Sequence, residues 1–154
     1  MKHKALPREK LKTLIVEFFQ SQGLCVLATC GRGKPRATPV EYFPDGLTLY
    51  VLTEGGRKLE NIRENPEVSV AVSTAWLGWE RSKGVQVSGR AVVGEAGSKI
   101  FREGVRAFRR RPGRAKASVP DVLKVIKIIP YEVEYLDLTL KSRGYGVLHM
   151  LKVR

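Results

Sequence analysis

Thr53-Glu54-Gly55-Gly56-Arg57-Lys58 leads into a short polar-apolar stretch that stops at Asn65-Pro66. Two adjacent glycines let the backbone take conformations closed to other residues, so an extended run can turn sharply there. Arg57 to Glu64 is predicted as about two turns of helix. Asn65 ends it, because a residue before proline avoids the helical region. Upstream, Leu47 to Leu52 places Leu47, Leu49 and Val51 on one face, the period of a strand. Downstream, Val68 to Val72 is a second short β-forming run. The segment therefore reads as strand, short helix, strand.

The same pattern of short strands and tight turns extends outward. Leu24 to Thr29 and Arg36 to Phe43 are strands separated by the turn Gly31-Arg32-Gly33-Lys34, and Pro44-Asp45-Gly46 is a further turn. Val85 to Val93 follows a loop, Ala75 to Gly84, that holds both tryptophans. Val122 to Ile129 is a sixth strand, interrupted by Pro130 and resumed over Tyr131 to Leu138. Helices are expected at 8–21, where Leu11, Leu14, Ile15, Phe18 and Phe19 follow helical spacing, and at 95–109. The expected fold is mainly β with peripheral helices, and six or seven short antiparallel strands with short turns favour a closed barrel over an open sheet. It would be one domain over 1–154: an N-terminal helix within 1–22, the barrel over 24–139 and a basic tail over 140–154 that packs on a partner subunit.

A chain of 154 residues suggests a single domain and needs no disulfide or metal to fold. Cys25 and Cys30 lie five apart on one strand and point to opposite faces, so free thiols are expected, as in a reducing cytoplasm. No apolar run approaches the length of a membrane span. The charge is unusual: 28 Lys and Arg against 15 acids, a net +13. Such a surface attracts anions, from phosphates to nucleic acid. The cations cluster near the N-terminus and from Arg106 to Lys116.

Within that field the Gly-Gly-Arg-Lys turn is the best candidate site. A helix start presents unpaired N–H groups and a partial positive charge, which suits a phosphate. Arg57 can make a bidentate pair, Lys58 adds a compact charge and Thr53 a hydroxyl. The same residues also suit a plain helix start with two solvated cations. Arg36 favours the site. The strands carrying Arg36 and Thr53 are expected as hairpin neighbours, so that three cations converge on one point, which is unfavourable without an anion between them.

Arg36-Ala-Thr-Pro-Val-Glu41, Leu49-Tyr-Val-Leu-Thr53, Arg57-Lys58, Asn61-Ile62, Asn65-Pro-Glu-Val-Ser69 and Val87-Ser-Gly-Arg-Ala91 occur in this order. In that order and spacing the stretch from Leu24 to Gly89 resembles the pyridoxamine 5'-phosphate oxidase-like family of FMN-binding split β-barrels. The resemblance implies that Arg57 and Lys58 hold the FMN phosphate, with Arg36 reaching towards it. It implies that Thr38, Pro39, Val40 and Glu41 line the isoalloxazine ring, and that Leu52 and Thr53 follow the ribityl chain. It also implies a homodimer with the cofactor between subunits. Gln86 and Trp79 are further flavin neighbours on this reading.

The resemblance stops short of the named oxidases. Their glutamine before the Val-x-Gly element falls at Gly84 here, and their C-terminal segment with tryptophan and arginines is missing. The expectation is therefore an FMN-dependent oxidoreductase acting with a nicotinamide or another small molecule, with vitamin B6 phosphate oxidation disfavoured. The same fold and groove would also accept a deazaflavin. Haem, with His149 as axial ligand, is disfavoured, and no metal site is expected because His3 and His149 have no partner ligands at suitable spacing. The alternatives are a flavin-binding or sensing module without turnover and a nucleic-acid-binding barrel using Arg106, Arg109, Arg110, Arg111, Arg114 and Lys116. Base-stacking aromatics on the strands are too few to favour the latter.

Overall fold

A computed structural model describes residues 2–153. Strands β1 (Leu24–Gly31), β2 (Lys34–Glu41), β3 (Phe43–Asp45), β4 (Thr48–Thr53), β5 (Glu67–Ser73), β6 (Lys83–Gly94), β7 (Lys124–Asp137) and β8 (Leu148–Lys152) form one antiparallel sheet. Its order is β2-β1-β5-β6-β7-β4-β3, with β8 also on β7. Helices α1 (Arg8–Ser21), α2 (Arg57–Glu64) and α3 (Lys99–Arg109) lie against it. The sheet curls into a half-barrel, the mainly β, antiparallel split-barrel architecture expected from the sequence.

Alternation builds the interior. On β1 the side chains of Cys25, Leu27 and Thr29 turn inward, and on β5 those of Val68, Val70 and Val72 do so. Helix α1 adds Leu11, Ile15, Phe18 and Phe19 to this core. A second, smaller cluster lies under α3, where Phe101, Val105 and Ala107 meet Phe43, Tyr50 and Val125. Helix α3 begins later than its periodicity predicts. The Ser98 hydroxyl accepts a hydrogen bond from the Phe101 amide at 3.1 Å and sets the helix start.

Two expectations are corrected. Pro130 does not break the sixth strand: β7 runs through it, because the ladder with β6 shifts register between Ser88 and Gly89, opposite that proline. A bulge is where a residue without an N–H can sit in a strand. The stretch expected as a tail forms β8, which pairs with β7 from Glu132↔Lys152 to Leu136↔Leu148 and buries Leu151 within the same chain. Strand β7 therefore has β6 along one edge, and β4 then β8 along the other.

The outer face of the sheet carries several exposed apolar side chains among polar ones. The register places Pro39, Val26, Ala71, Gln86, Glu134 and Met150 in one row across β2, β1, β5, β6, β7 and β8. Leu24, Val26, Leu148 and Met150 are exposed there. Strand β2 forms one edge of the sheet and leaves most of its residues exposed.

Candidate functional site

Helix α2 starts where Gly56, at φ 94°, ends the loop after β4; Gly55 precedes it at φ 155°. No side chain caps the helix. The amides of Leu59 and Glu60 reach back to the Gly56 carbonyl at 3.1 and 3.3 Å, and those of Arg57 and Lys58 point out of the helix end. The loop is held from inside. The Thr53 hydroxyl donates to the Gly55 carbonyl at 3.2 Å and accepts from the Gly55 amide at 3.3 Å. Lys58 Nζ donates to the same carbonyl at 3.2 Å.

Two clefts flank this helix end. One, of about 590 Å³, is lined by Arg36 and Arg57 together with Arg32, Lys34, Glu60, Asn61 and Glu64. The other, of about 630 Å³, is lined by Leu52, Thr53, Glu54, Gly55, Gly56, Lys58 and Leu123. Arg36 and Arg57 thus line one cleft, while Lys58 lines the neighbouring one.

The route by which Arg36 arrives differs from the hairpin expected. Strand β2 pairs with β1, whereas β4 pairs with β3 and β7. Arg36 stands opposite Thr29 on β1, and Asn61 of α2 donates to the Thr29 hydroxyl at 3.1 Å. Helix α2 can lie this close because residue 31 is glycine. A Cβ there would fall 2.2 Å from Asn61 Oδ1. Asn61, Thr29 and Gly31 are therefore positioning residues that the site reading from sequence did not include. The signal available for Asn61 was its place one helical turn after Arg57.

Along β2, the Thr38 hydroxyl is buried and has no hydrogen-bond partner among the described residues. Such an atom costs free energy unless something satisfies it. Val40 packs on the core, while Pro39 and Glu41 are exposed. Glu41 forms an ion pair with Arg114. Trp79 and Gln86 are not brought to these clefts within one chain. Trp79 is 77% exposed and packs edge-on to Trp76 at 5.1 Å between ring centroids. Gln86 lines a shallow outer-face pocket of about 270 Å³ with Ala71, Glu134, Leu136 and Leu148.

Much of the basic run after α3 is committed to the chain itself. Arg111 donates to the carbonyls of Gln22 and Tyr42 at 2.8 and 2.7 Å. Arg110 pairs with Asp45 at 2.9 Å, Arg109 donates to the Ala117 carbonyl, and Arg114 lies over Phe43 and Phe108. These arginines brace the end of β2 against α3. His149 shares a 2.7 Å hydrogen bond with the Gly146 carbonyl, and the described residues include no group of three or more metal-binding side chains. Burial pushes the Cys25 thiol up to about 12, and both cysteines are free. No helix among the described residues is long and apolar enough to cross a membrane.

The order of these elements can be compared with known proteins. The family model for pyridoxamine 5'-phosphate oxidase matches residues 11–137. The chain belongs to this family. Bacillus subtilis general stress protein 26 is 29% identical over 87 residues, which span 56% of this chain and 61% of that protein. The chain thus matches under two thirds of that relative's length. Among solved structures, general stress protein 26 of Bacillus anthracis superposes with a TM-score of 0.65 at 24% identity, over 93% of this chain and 98% of that one. An FAD-binding protein of Mesorhizobium loti gives 0.60 at 24% identity, over 86% and 94%. HutZ, a heme storage protein of Vibrio cholerae, gives 0.63 at 20% identity, over 78% and 89%. At these identities the superpositions speak to the pyridoxamine phosphate oxidase-like fold.

Proposed function

We propose that the protein binds FMN and works as a flavin-dependent oxidoreductase, with its phosphate site at the start of α2. The observation that carries this reading is that Arg36 and Arg57 line one cleft beside an uncapped helix N-terminus. Like charges gather there without a salt bridge to either arginine among the described residues. A phosphate relieves both that repulsion and the unpaired helix amides.

The residues present fit the group. Arg57 and Arg36 would hold the phosphate, and Lys58 would add charge from the other side of the helix end. Leu52 and Thr53 line the cleft that would receive the ribityl chain. Strand β2 lies at the edge of the sheet, and its backbone from Thr38 through Pro39 and Val40 to Glu41 would border the ring. When bound, the flavin supplies the redox chemistry, and the protein supplies orientation and electrostatics. Glu41, the one carboxylate of β2, is tied to Arg114 and is a poor general base. That arrangement suits hydride exchange with a nicotinamide or reduction of a small electrophile.

The site is shared in this reading. A second copy packed on the outer face would cover Leu24, Val26 and Met150 and bring its own Gln86 and Trp79 towards the cofactor. These exposed apolar side chains support a homodimer.

Reconstitution tests the proposal. Purified protein mixed with FMN should retain a yellow flavin through gel filtration, and Arg57→Ala with Lys58→Ala should lose it while melting normally. Failure of the wild-type protein to take up FMN would sink the reading. Unchanged retention by the double variant would remove the assigned phosphate site.

A further inference from the structure

Positive charge is unevenly spread along the chain. Residues 2–12 carry Lys2, Lys4, Arg8, Lys10 and Lys12 against one acid, Glu9. Residues 138–153 carry Lys141, Arg143 and Lys152 and no acid. These segments stand at opposite ends of the sequence, and the fold joins them. Gly144, at φ 80°, turns the chain after the 3₁₀ segment Leu138–Arg143. Lys4 then lies beside Tyr145 in a parallel bridge. The Lys4 amide donates to the Gly144 carbonyl and the Gly146 amide donates to the Lys4 carbonyl, both at 3.1 Å. Arg8 Nη1 donates to the Lys152 carbonyl at 2.8 Å.

Cations from both segments converge on Tyr145. Lys10 Nζ of α1 and Arg143 Cζ each lie 5.8 Å from its ring centroid. Lys2, Lys4, Arg8, Lys10, Lys141 and Arg143 are all exposed, and none forms a salt bridge among the described residues. The run after α3 is different, because Arg109, Arg110, Arg111 and Arg114 are held by carbonyls and carboxylates of the chain. None of the cations at the joined termini lines either cleft beside α2.

Unpaired cations held on one backbone framework repel one another. A polyanion relieves that repulsion and gains by releasing its own counterions. Residues 2–8 and 138–146 expose no large apolar side chain, so the surface lacks the apolar face with which basic segments settle into a bilayer. Tyr145 is half-buried and has cations over its ring, so it anchors charge and offers little face for stacking a base. Such a surface suits phosphates and does not read base edges. We propose that the joined termini bind the phosphate backbone of a nucleic-acid duplex, whatever its sequence, as an activity separate from the flavin site.

Fluorescence anisotropy of the full chain with a labelled, mixed-sequence DNA duplex, from about 50 to 200 mM salt, tests it. The wild-type protein should bind, with affinity falling steeply as salt rises. Lys4→Gln with Lys10→Gln and Arg143→Gln should weaken binding at least about tenfold and lower the salt slope by about 3, roughly one for each lost phosphate contact. Arg81→Gln with Arg106→Gln and Lys116→Gln removes the same charge elsewhere and should cost under about threefold. If the first variant melts low, Lys2→Gln with Lys141→Gln leaves Tyr145 and its cations in place and should weaken binding in the same direction. Absence of binding by the wild-type protein would overturn the proposal, as would equal losses in the two triple variants. Binding to phosphatidylserine–phosphatidylcholine vesicles in preference to the duplex would also overturn it and assign the surface to a membrane.

Discussion

Lys127 Nζ on β7 lies 2.7 Å from Glu103 Oε2 on α3, and the Tyr50 hydroxyl donates to the same oxygen at 3.0 Å. The hydrogen bond from Lys127 holds the Glu103 carboxyl below the ordinary carboxylate range, and that from Tyr50 adds to this. The same pairing raises Lys127. A carboxyl whose folded value is depressed contributes stability that is present above its unfolded value. It is lost as pH falls through the folded value. The lysine contribution is lost only as pH rises through its own raised value. Melting temperatures taken from pH 3 to 7 should therefore fall on the acid side, and Glu103→Gln should flatten that fall. An equally steep acid limb in the variant would remove Glu103 from the account.

Arg111 joins three elements by donating to Gln22 and Tyr42 from the loop after α3. Hydrogen bonds from a charged donor are each worth about 1.5–3 kcal/mol, less where water competes. Arg111→Ala should cost about 2–3 kcal/mol in chemical denaturation. Both bonds leave one nitrogen, Nη2, and the guanidinium plane also lies over the Tyr42 and Phe43 rings. Lysine can offer donors but not that plane, so Arg111→Lys should recover only part. A loss below about 0.5 kcal/mol for Arg111→Ala would show the brace to be dispensable.

Gly31→Ala places a methyl group against Asn61. Helix α2 must shift or Asn61 must leave Thr29, and Arg57 moves with the helix. The expected result is a weakening of FMN retention by about tenfold or more with a modest loss of stability, about 1–3 kcal/mol as for other overpacking changes. Retention equal to wild type would show that the close approach of α2 does not position Arg57.

Val26→Glu puts a charge in the middle of the outer-face row between Pro39 and Ala71. The variant should run as a monomer by light scattering and lose flavin together with dimerisation, since the proposed site uses both copies. A dimeric variant would move the interface elsewhere.

The site was legible where local chemistry decides. Gly55-Gly56 and Asn65-Pro66 mark both ends of α2, and Gly31 to Lys34 marks the hairpin. That Arg36 and Arg57 line one cleft was foreseen without its route, which depends on Asn61 and Thr29 meeting across β1, and the sequence did not separate Lys58 into the neighbouring cleft. Nothing in the neighbourhood of Pro130 shows that a register shift opposite it will keep β7 continuous. Nor could charge counting separate arginines that bind backbone carbonyls, such as Arg111, from those that face a cleft, such as Arg57. Both are long side chains whose partners lie far away in sequence.

Cys25 gives the sheet an internal clock. The residue is 3% exposed, and burial also disfavours its thiolate, so reaction from the native state is strongly suppressed. Modification by a thiol reagent must wait until β1 parts from its neighbours, so the labelling rate at Cys25 measures how often that opening occurs. Ligand that binds only the closed sheet should slow this rate in proportion to its occupancy. A single mass-spectrometric time course would thus report binding without a colour change or a known substrate.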